Sequence, residues 1–352
     1  MSARSAGLLA LVLLLGGCAS APESRQLSLF EPSAAVLWPE LPQTPRFRYL
    51  GELVGERNFG LRDDRRGALR RAFDWLTGLD ARHRQPLRLR RPVSGASLPD
   101  ERIFVSDAGL QAVAVFDLRQ RAVQLWQRAW GEQRFRAPGG VVAEAGGGLL
   151  VADAELGAVF RLDADGEPRE RIGDGLLQRP TGLARDPASG RLYVADTAAH
   201  DIKVFAPSGE LLDVLGGPGS AAGRFNAPTH LAFAGGDLYV TDTFNARVQR
   251  LDVGGDGEAL ASIGRRGLYV GDLYRPKGVA VDDEQRVYVV ESYYDHLLVF
   301  DGGGRLLLPI GGAGRGPGQF FLPAGVWLDG RDRIYVADMF NARVVVIQFL
   351  GA

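Results

Sequence analysis

The chain has 352 residues, 46% hydrophobic and 24% charged, which gives it material for a large core and excludes a disordered or coiled-coil chain. A formal net charge of −1 excludes coating nucleic acid through a global positive field, and the single cysteine excludes an internal disulfide framework and a Cys-clustered zinc site. With 47 glycines and 19 prolines, the composition points to a turn-rich β protein, as two average domains or one large β-fold.

Residues 1–17 have the layout of a secretory signal: Arg4 precedes an apolar run from Leu8 to Leu15 that is too short to span a bilayer. Leu15-Gly16-Gly17-Cys18 resembles a bacterial lipobox, which implies cleavage before Cys18 and lipidation of its thiol; the alternative is an ordinary signal with an incidental cysteine. Acyl chains on Cys18 make membrane attachment stable. Ala19-Ser20 stand where many such lipoproteins carry the aspartate that retains them at the inner membrane, so the same resemblance implies an outer-membrane anchor facing the periplasm. Residues 18–45, with Pro22, Pro32, Pro39, Pro42 and Pro45, read as an extended tether.

Residues 46–54 have a strand-then-glycine pattern. Residues 57–91 contain eleven arginines, with Leu69, Ala72, Phe73, Leu76 and Leu79 at helical spacing, so a short amphipathic helix is expected around 65–78. Arg66, Arg70 and Arg71 on its other side are either a solvated face or a contact for an acidic partner or anionic lipid.

From residue 103 onward a pattern recurs six times: IFVSD at 103–107, LLVAD at 149–153, LYVAD at 192–196, LYVTD at 238–242, VYVVE at 287–291 and IYVAD at 334–338. Most copies follow a Pro-x-Gly-like start, among them Pro180-Thr181-Gly182 and Pro276-Lys277-Gly278, and lead through a turn into a second apolar run and a last short strand. Four short strands at a period in the forties predict a propeller blade, and six copies predict an all-β, six-bladed β-propeller over 46–352. The sixth copy ends after its third strand, so residues 46–54 are expected to supply its fourth and close the ring without exposed edges.

LYVTDTFNARVQRLD, IYVADMFNARVVVIQ and the Gly-rich GGAGRGPGQFFLP resemble NHL repeats over about 88–352, best in blades four and six. The enzymes of that family imply a channel-face metal held by clustered ligands; the lyase that cleaves peptidyl-α-hydroxyglycine uses histidines in Pro-His-x starts. The matching positions here are Gly139, Thr181, Thr229, Lys277 and Ala324, none of them histidine. No metal or other cofactor is therefore expected.

Strand order places the Pro-x-Gly starts, the turns after each acidic residue and the Gly-rich links on one face. The repeated aspartates read as turn-binding scaffold. Departures from the repeat carry more information. In blade five, Ser292-Tyr293-Tyr294-Asp295-His296 replaces Thr-x-Asn-x-Arg, and the link into that blade brings Tyr269, Tyr274 and Lys277. These residues form either a recognition patch or the cover of the rim between blades. His230 stands where other blades have glycine, as a ligand-facing group or simply a hydrogen-bonded histidine; His200 is a weaker candidate. The expected function is a non-catalytic, membrane-anchored adaptor for a protein or peptide of the bacterial envelope, monomeric or part of a hetero-complex, with no nucleic-acid partner. The alternative is a metal-dependent hydrolase or lyase using His230 with Asp242 or Glu291, and a third option is a structural part of an envelope complex.

Overall fold

The computed structural model describes residues 36–59, 85–255 and 257–351. Six antiparallel sheets stand around a central channel as the blades of a propeller. Blade one comprises Pro92–Ser97, Arg102–Asp107, Ala112–Asp117 and Ala122–Trp126, from the channel outward. Blade two comprises Pro138–Ala143, Leu149–Asp153, Ala158–Leu162 and Pro168–Ile172; blade three, Pro180–Arg185, Leu192–Asp196, Asp201–Phe205 and Leu211–Gly216. Blade four comprises Pro228–Ala234, Asp237–Asp242, Arg247–Asp252 and Ala259–Ile263; blade five, Pro276–Val281, Val287–Glu291, His296–Phe300 and Leu306–Gly311.

Blade six is built from both ends of the chain. Val326–Leu328, Arg333–Asp338 and Arg343–Phe349 come from the C-terminal side, and Phe47–Leu53 pairs antiparallel with Arg343–Phe349, from Phe47 opposite Phe349 to Leu53 opposite Val344. The closing strand thus lies where the repeat count requires it. A short strand, Leu37–Trp38, adds outside it, with Trp38 opposite Phe47. This corrects the expected tether in its last part: residues 36–45 are a hairpin on blade six, because Val36 and Trp38 pack against the core between blades five and six. The rest of the tether, residues 1–17 and Cys18 lie outside the described residues, as do the expected helix and Arg66, Arg70 and Arg71. What is described of the insert is a 3-10 turn at Glu56–Phe59 and its return, where the Leu87 amide donates to Glu56 Oε2 at 2.9 Å. No helix among the described residues is long and apolar enough to cross a membrane.

The strand sequences follow from layer position. Second strands such as LYVAD are buried at all five positions because both faces meet a neighbouring blade, so alternation disappears. Outer strands such as ALASI alternate between covered and open positions. The innermost strands converge on the axis, and there glycine is a steric requirement. A Cβ on Gly182 would lie 2.5 Å from the Thr229 carbonyl oxygen of the next blade, and one on Gly278 would lie 2.5 Å from the Val326 nitrogen.

Candidate ligand-binding face

Each acidic residue at the end of a second strand ties two loops together. Asp107 accepts the amides of Arg90 and Arg91 at 2.7 and 2.9 Å from the link before blade one, and those of Gly109 and Leu110 from the turn after it. Asp153 does the same in blade two, with Arg136 at 2.7 Å and Glu155 at 3.0 Å. Asp196 takes the amides of Gln178 and Arg179 and the ammonium of Lys203, the last at 3.0 Å. These bonds bring every inter-blade link beside a turn, so both elements lie at one end of the propeller. The aspartates are buried and occupied as scaffold.

Blades four and six add a staple. Asn245 and Arg247 reach back to Asp242 at 2.8 and 2.9 Å, and Asn341 and Arg343 reach Asp338 at 2.8 Å each. Their other donors bond carbonyls of the preceding link, Arg247 to Ala221 at 2.8 Å and Arg343 to Gln319 at 2.8 Å. Blade five lacks both staple residues. Glu291 accepts the amides of Tyr274, Arg275 and Tyr293 at 2.8, 3.0 and 3.0 Å but has no cationic partner among the described residues.

The six residues expected in one patch, and His230 expected apart from them, divide into two groups. Tyr274, Tyr293 and Tyr294 form an aromatic cluster, with ring centroids 4.6 Å apart for Tyr274–Tyr293 and 5.0 Å for Tyr293–Tyr294. Arg266 lies over the Tyr274 ring, 5.6 Å from its centroid. Beside the cluster, Tyr269, Tyr294 and His296 line a hollow of about 130 Å³ with Leu268, Val270 and Glu291. The link that forms its outer wall is held by Asp272, which accepts the Tyr269 amide at 3.0 Å and Arg265 Nε at 3.2 Å. The Tyr269 amide first, with Arg265 adding to it, holds the Asp272 carboxyl below the ordinary carboxylate value.

His230 and Lys277 belong elsewhere, on the innermost strands. His230 lines the channel cavity of about 180 Å³ with Ser94, Gly140 and Trp327, and its Nδ1 lies 3.1 Å from Thr229 Oγ1. Its ring keeps some surface open to the channel, yet protein surrounds it, and burial first, then the Lys277 charge, pushes its pKa down to about 3. Lys277 is held below the ordinary lysine value by burial, then by Arg275 and Arg179. The chain's other lysine, Lys203, sits between Asp196 and Asp201, whereas Lys277 has no carboxylate partner among the described residues. Asp242 and Glu291 are taken up by the bonds above and make none to His230. Among the described residues, no three His, Cys, Asp or Glu side chains gather as a metal-ligating group.

Sequence reading missed several residues of this face. Phe244, Phe321 and Phe340 are exposed at the same end of blades four to six, with Phe321 and Phe340 5.5 Å apart. Phe244 and Phe340 carried a signal in their place directly before the Asn of each Asn-x-Arg turn, whereas Phe321 stands in the link before blade six. Leu268 and Val270 are 78% and 65% exposed on either side of Tyr269 at 82%, an apolar triplet at the apex of one link.

Comparisons with known proteins agree with this architecture. Residues 273–351, in blades five and six, match a family described as 6-bladed beta-propeller. Residues 177–205 match the NHL repeat, and they lie in blade three, whose turn lacks Asn-x-Arg. The chain is similar to NHL repeat-containing protein 2 of Gallus gallus, 35% identical over 81 residues, and of Bos taurus, 29% over 115. These stretches cover 21% and 31% of this chain but only 11% and 15% of those relatives. Among solved structures, virginiamycin B lyase from Staphylococcus aureus is 13% identical with a TM-score of 0.54, covering 76% of this chain and 99% of that one. An auxiliary nutrient binding protein from Bacteroides ovatus is 16% identical with a TM-score of 0.56, covering 74% and 69%. A gluconolactonase from Xanthomonas campestris is 18% identical with a TM-score of 0.58, covering 74% and 86%. At these identities the structural likeness speaks for the fold alone. With repeat, ring closure and family matches in agreement, the chain is a six-bladed β-propeller that carries an NHL-repeat match in blade three.

Proposed function

We propose that this propeller is a non-catalytic binding platform of the bacterial cell envelope, anchored through a lipidated Cys18 at the outer membrane and facing the periplasm, and that it holds a protein or peptide on the blade-five sector of its link-bearing end. The observation that carries this reading is the exposed aromatic and apolar surface formed by Leu268, Tyr269, Val270, Tyr274 and Tyr293. Tyr269 is 82% and Tyr293 53% exposed, and neither side chain is buried in the core. Rigid amphipathic rings clustered on a surface are what protein-binding hot spots are made of. The auxiliary nutrient binding proteins among the structural neighbours lend support at the level of a binding role.

Photo-crosslinking in intact cells tests the reading. A photoreactive residue at Tyr269 should yield one discrete crosslinked species, and the same residue at Asp283, in a turn at the opposite end of blade five, should yield none. Equal crosslinking from both positions would remove the binding face from this sector.

A further inference from the structure

The links into blades four, five and six share one backbone frame. In each, a glycine and a proline twelve positions apart bound the loop: Gly216 and Pro228, Gly264 and Pro276, Gly311 and Pro323. Equivalent hydrogen bonds recur, Phe225 to Gly217 at 2.9 Å, Leu273 to Arg265 at 2.8 Å and Phe320 to Gly312 at 2.8 Å, amide to carbonyl in each case. What differs is the filling. In blade four, Arg247 enters between link and blade, pairs with Asp242 and donates to the carbonyls of Ala221 and Arg224 at 2.8 and 3.0 Å. In blade six, Arg343 does the same with Asp338 and the carbonyls of Gly316 and Gln319 at 3.0 and 2.8 Å.

In blade five the arginine position is His296, whose Nδ1 bonds the Tyr294 carbonyl oxygen, and the asparagine position is Tyr294. The carbonyls corresponding to the arginine's acceptors are those of Tyr269 and Asp272, and no side chain donates to either among the described residues. The acid is present as Glu291, without a cation among the described residues. The hollow of about 130 Å³ opens at this place, walled by Tyr269, Asp272, Glu291, Tyr294, His296 and Leu298.

We infer that this hollow is a specificity pocket for a guanidinium side chain of the bound protein or peptide, which takes the place that Arg247 and Arg343 fill from within the chain. This rests on the peptide-binding reading of the same sector and gives it a ligand chemistry. Glu291 and Asp272 supply the negative charge, the two carbonyls supply acceptors matched to a planar fork of N–H donors, and the tyrosine rings supply flat surface for the guanidinium plane. Arg265, paired with Asp272 and itself largely exposed, can swing away when a ligand arginine competes.

The probes are acetyl-Ala-Arg-Ala-amide and its citrulline counterpart, which keeps the shape and loses the charge, titrated by calorimetry or NMR into the purified propeller. The parent should bind the arginine peptide at least about tenfold more tightly than the citrulline one, since a charge-assisted bidentate contact is at stake. The double variant Tyr294→Asn with His296→Arg rebuilds the staple of the neighbouring blades. It should lose that preference and melt about 2–4 °C higher, from newly satisfied acceptors. Tyr269→Ala, at an exposed position, should weaken arginine binding severalfold with the melting temperature unchanged. Equal affinity of the parent for the two peptides, or an arginine preference that survives in the double variant, would overturn the assignment. Partner capture through the exposed aromatics is read independently of these peptides, so failure of the pocket and failure of the platform are separate results.

Discussion

Asp338→Ala should lower the free energy of unfolding by about 3 kcal/mol, read from urea denaturation. The carboxylate accepts the Phe321 amide, Asn341 Nδ2 and Arg343 Nε, all at 2.8 Å, and each donor belongs to a different segment of blade six. Its removal strands a buried guanidinium. Arg343 keeps Glu52 at 2.7 Å and the carbonyls of the link, so the cost stays at the lower end of the range for breaking a buried pair. A loss below about 1 kcal/mol, the level of an exposed pair, would show that the acid does not organise the blade end.

Removal of the closing strand should have the larger effect. Phe47, Tyr49 and Leu53 are buried between the last blade and its neighbours, and each contributes about 1.5–3 kcal/mol through burial. Their sum is comparable to the whole stability of a typical domain, about 5–15 kcal/mol. Cutting the chain before Gly55 also bares the edge of Arg343–Phe349 to pairing with other molecules. The shortened protein should be aggregated or oligomeric in size-exclusion chromatography, whereas one starting at Val36 should run as a folded monomer. A stable monomer lacking residues up to 54 would contradict closure by the N-terminal strand.

The features that were legible in the sequence are those that repeat. The acidic residue ending each second strand recurs in phase, because every blade must tie its turn to its link, and the missing fourth strand of the last blade pointed to residues 46–54. The hairpin at 36–45 was not legible: Pro39, Pro42 and Pro45 look like a tether, and only the three-dimensional site beside Phe47 explains why Val36 and Trp38 are held. The departure at Ser292–His296 was visible as a change of residue type. Its consequence was not, since the hollow depends on what Arg247 and Arg343 fill in adjacent blades. Sequence proximity also merged Lys277 with Tyr274. The intervening Pro276 starts the innermost strand, which carries Lys277 near enough for its charge to act on His230 and leaves Tyr274 in the link.

The most direct test of the binding platform is an affinity capture from native envelope extracts, comparing the intact protein with a Tyr269→Ala, Tyr274→Ala, Tyr293→Ala triple variant, read by quantitative mass spectrometry. All three side chains are exposed, so the variant should fold as the parent does. A stoichiometric partner held by the parent and lost from the triple variant is the predicted result; the same partners retained by both proteins would contradict it.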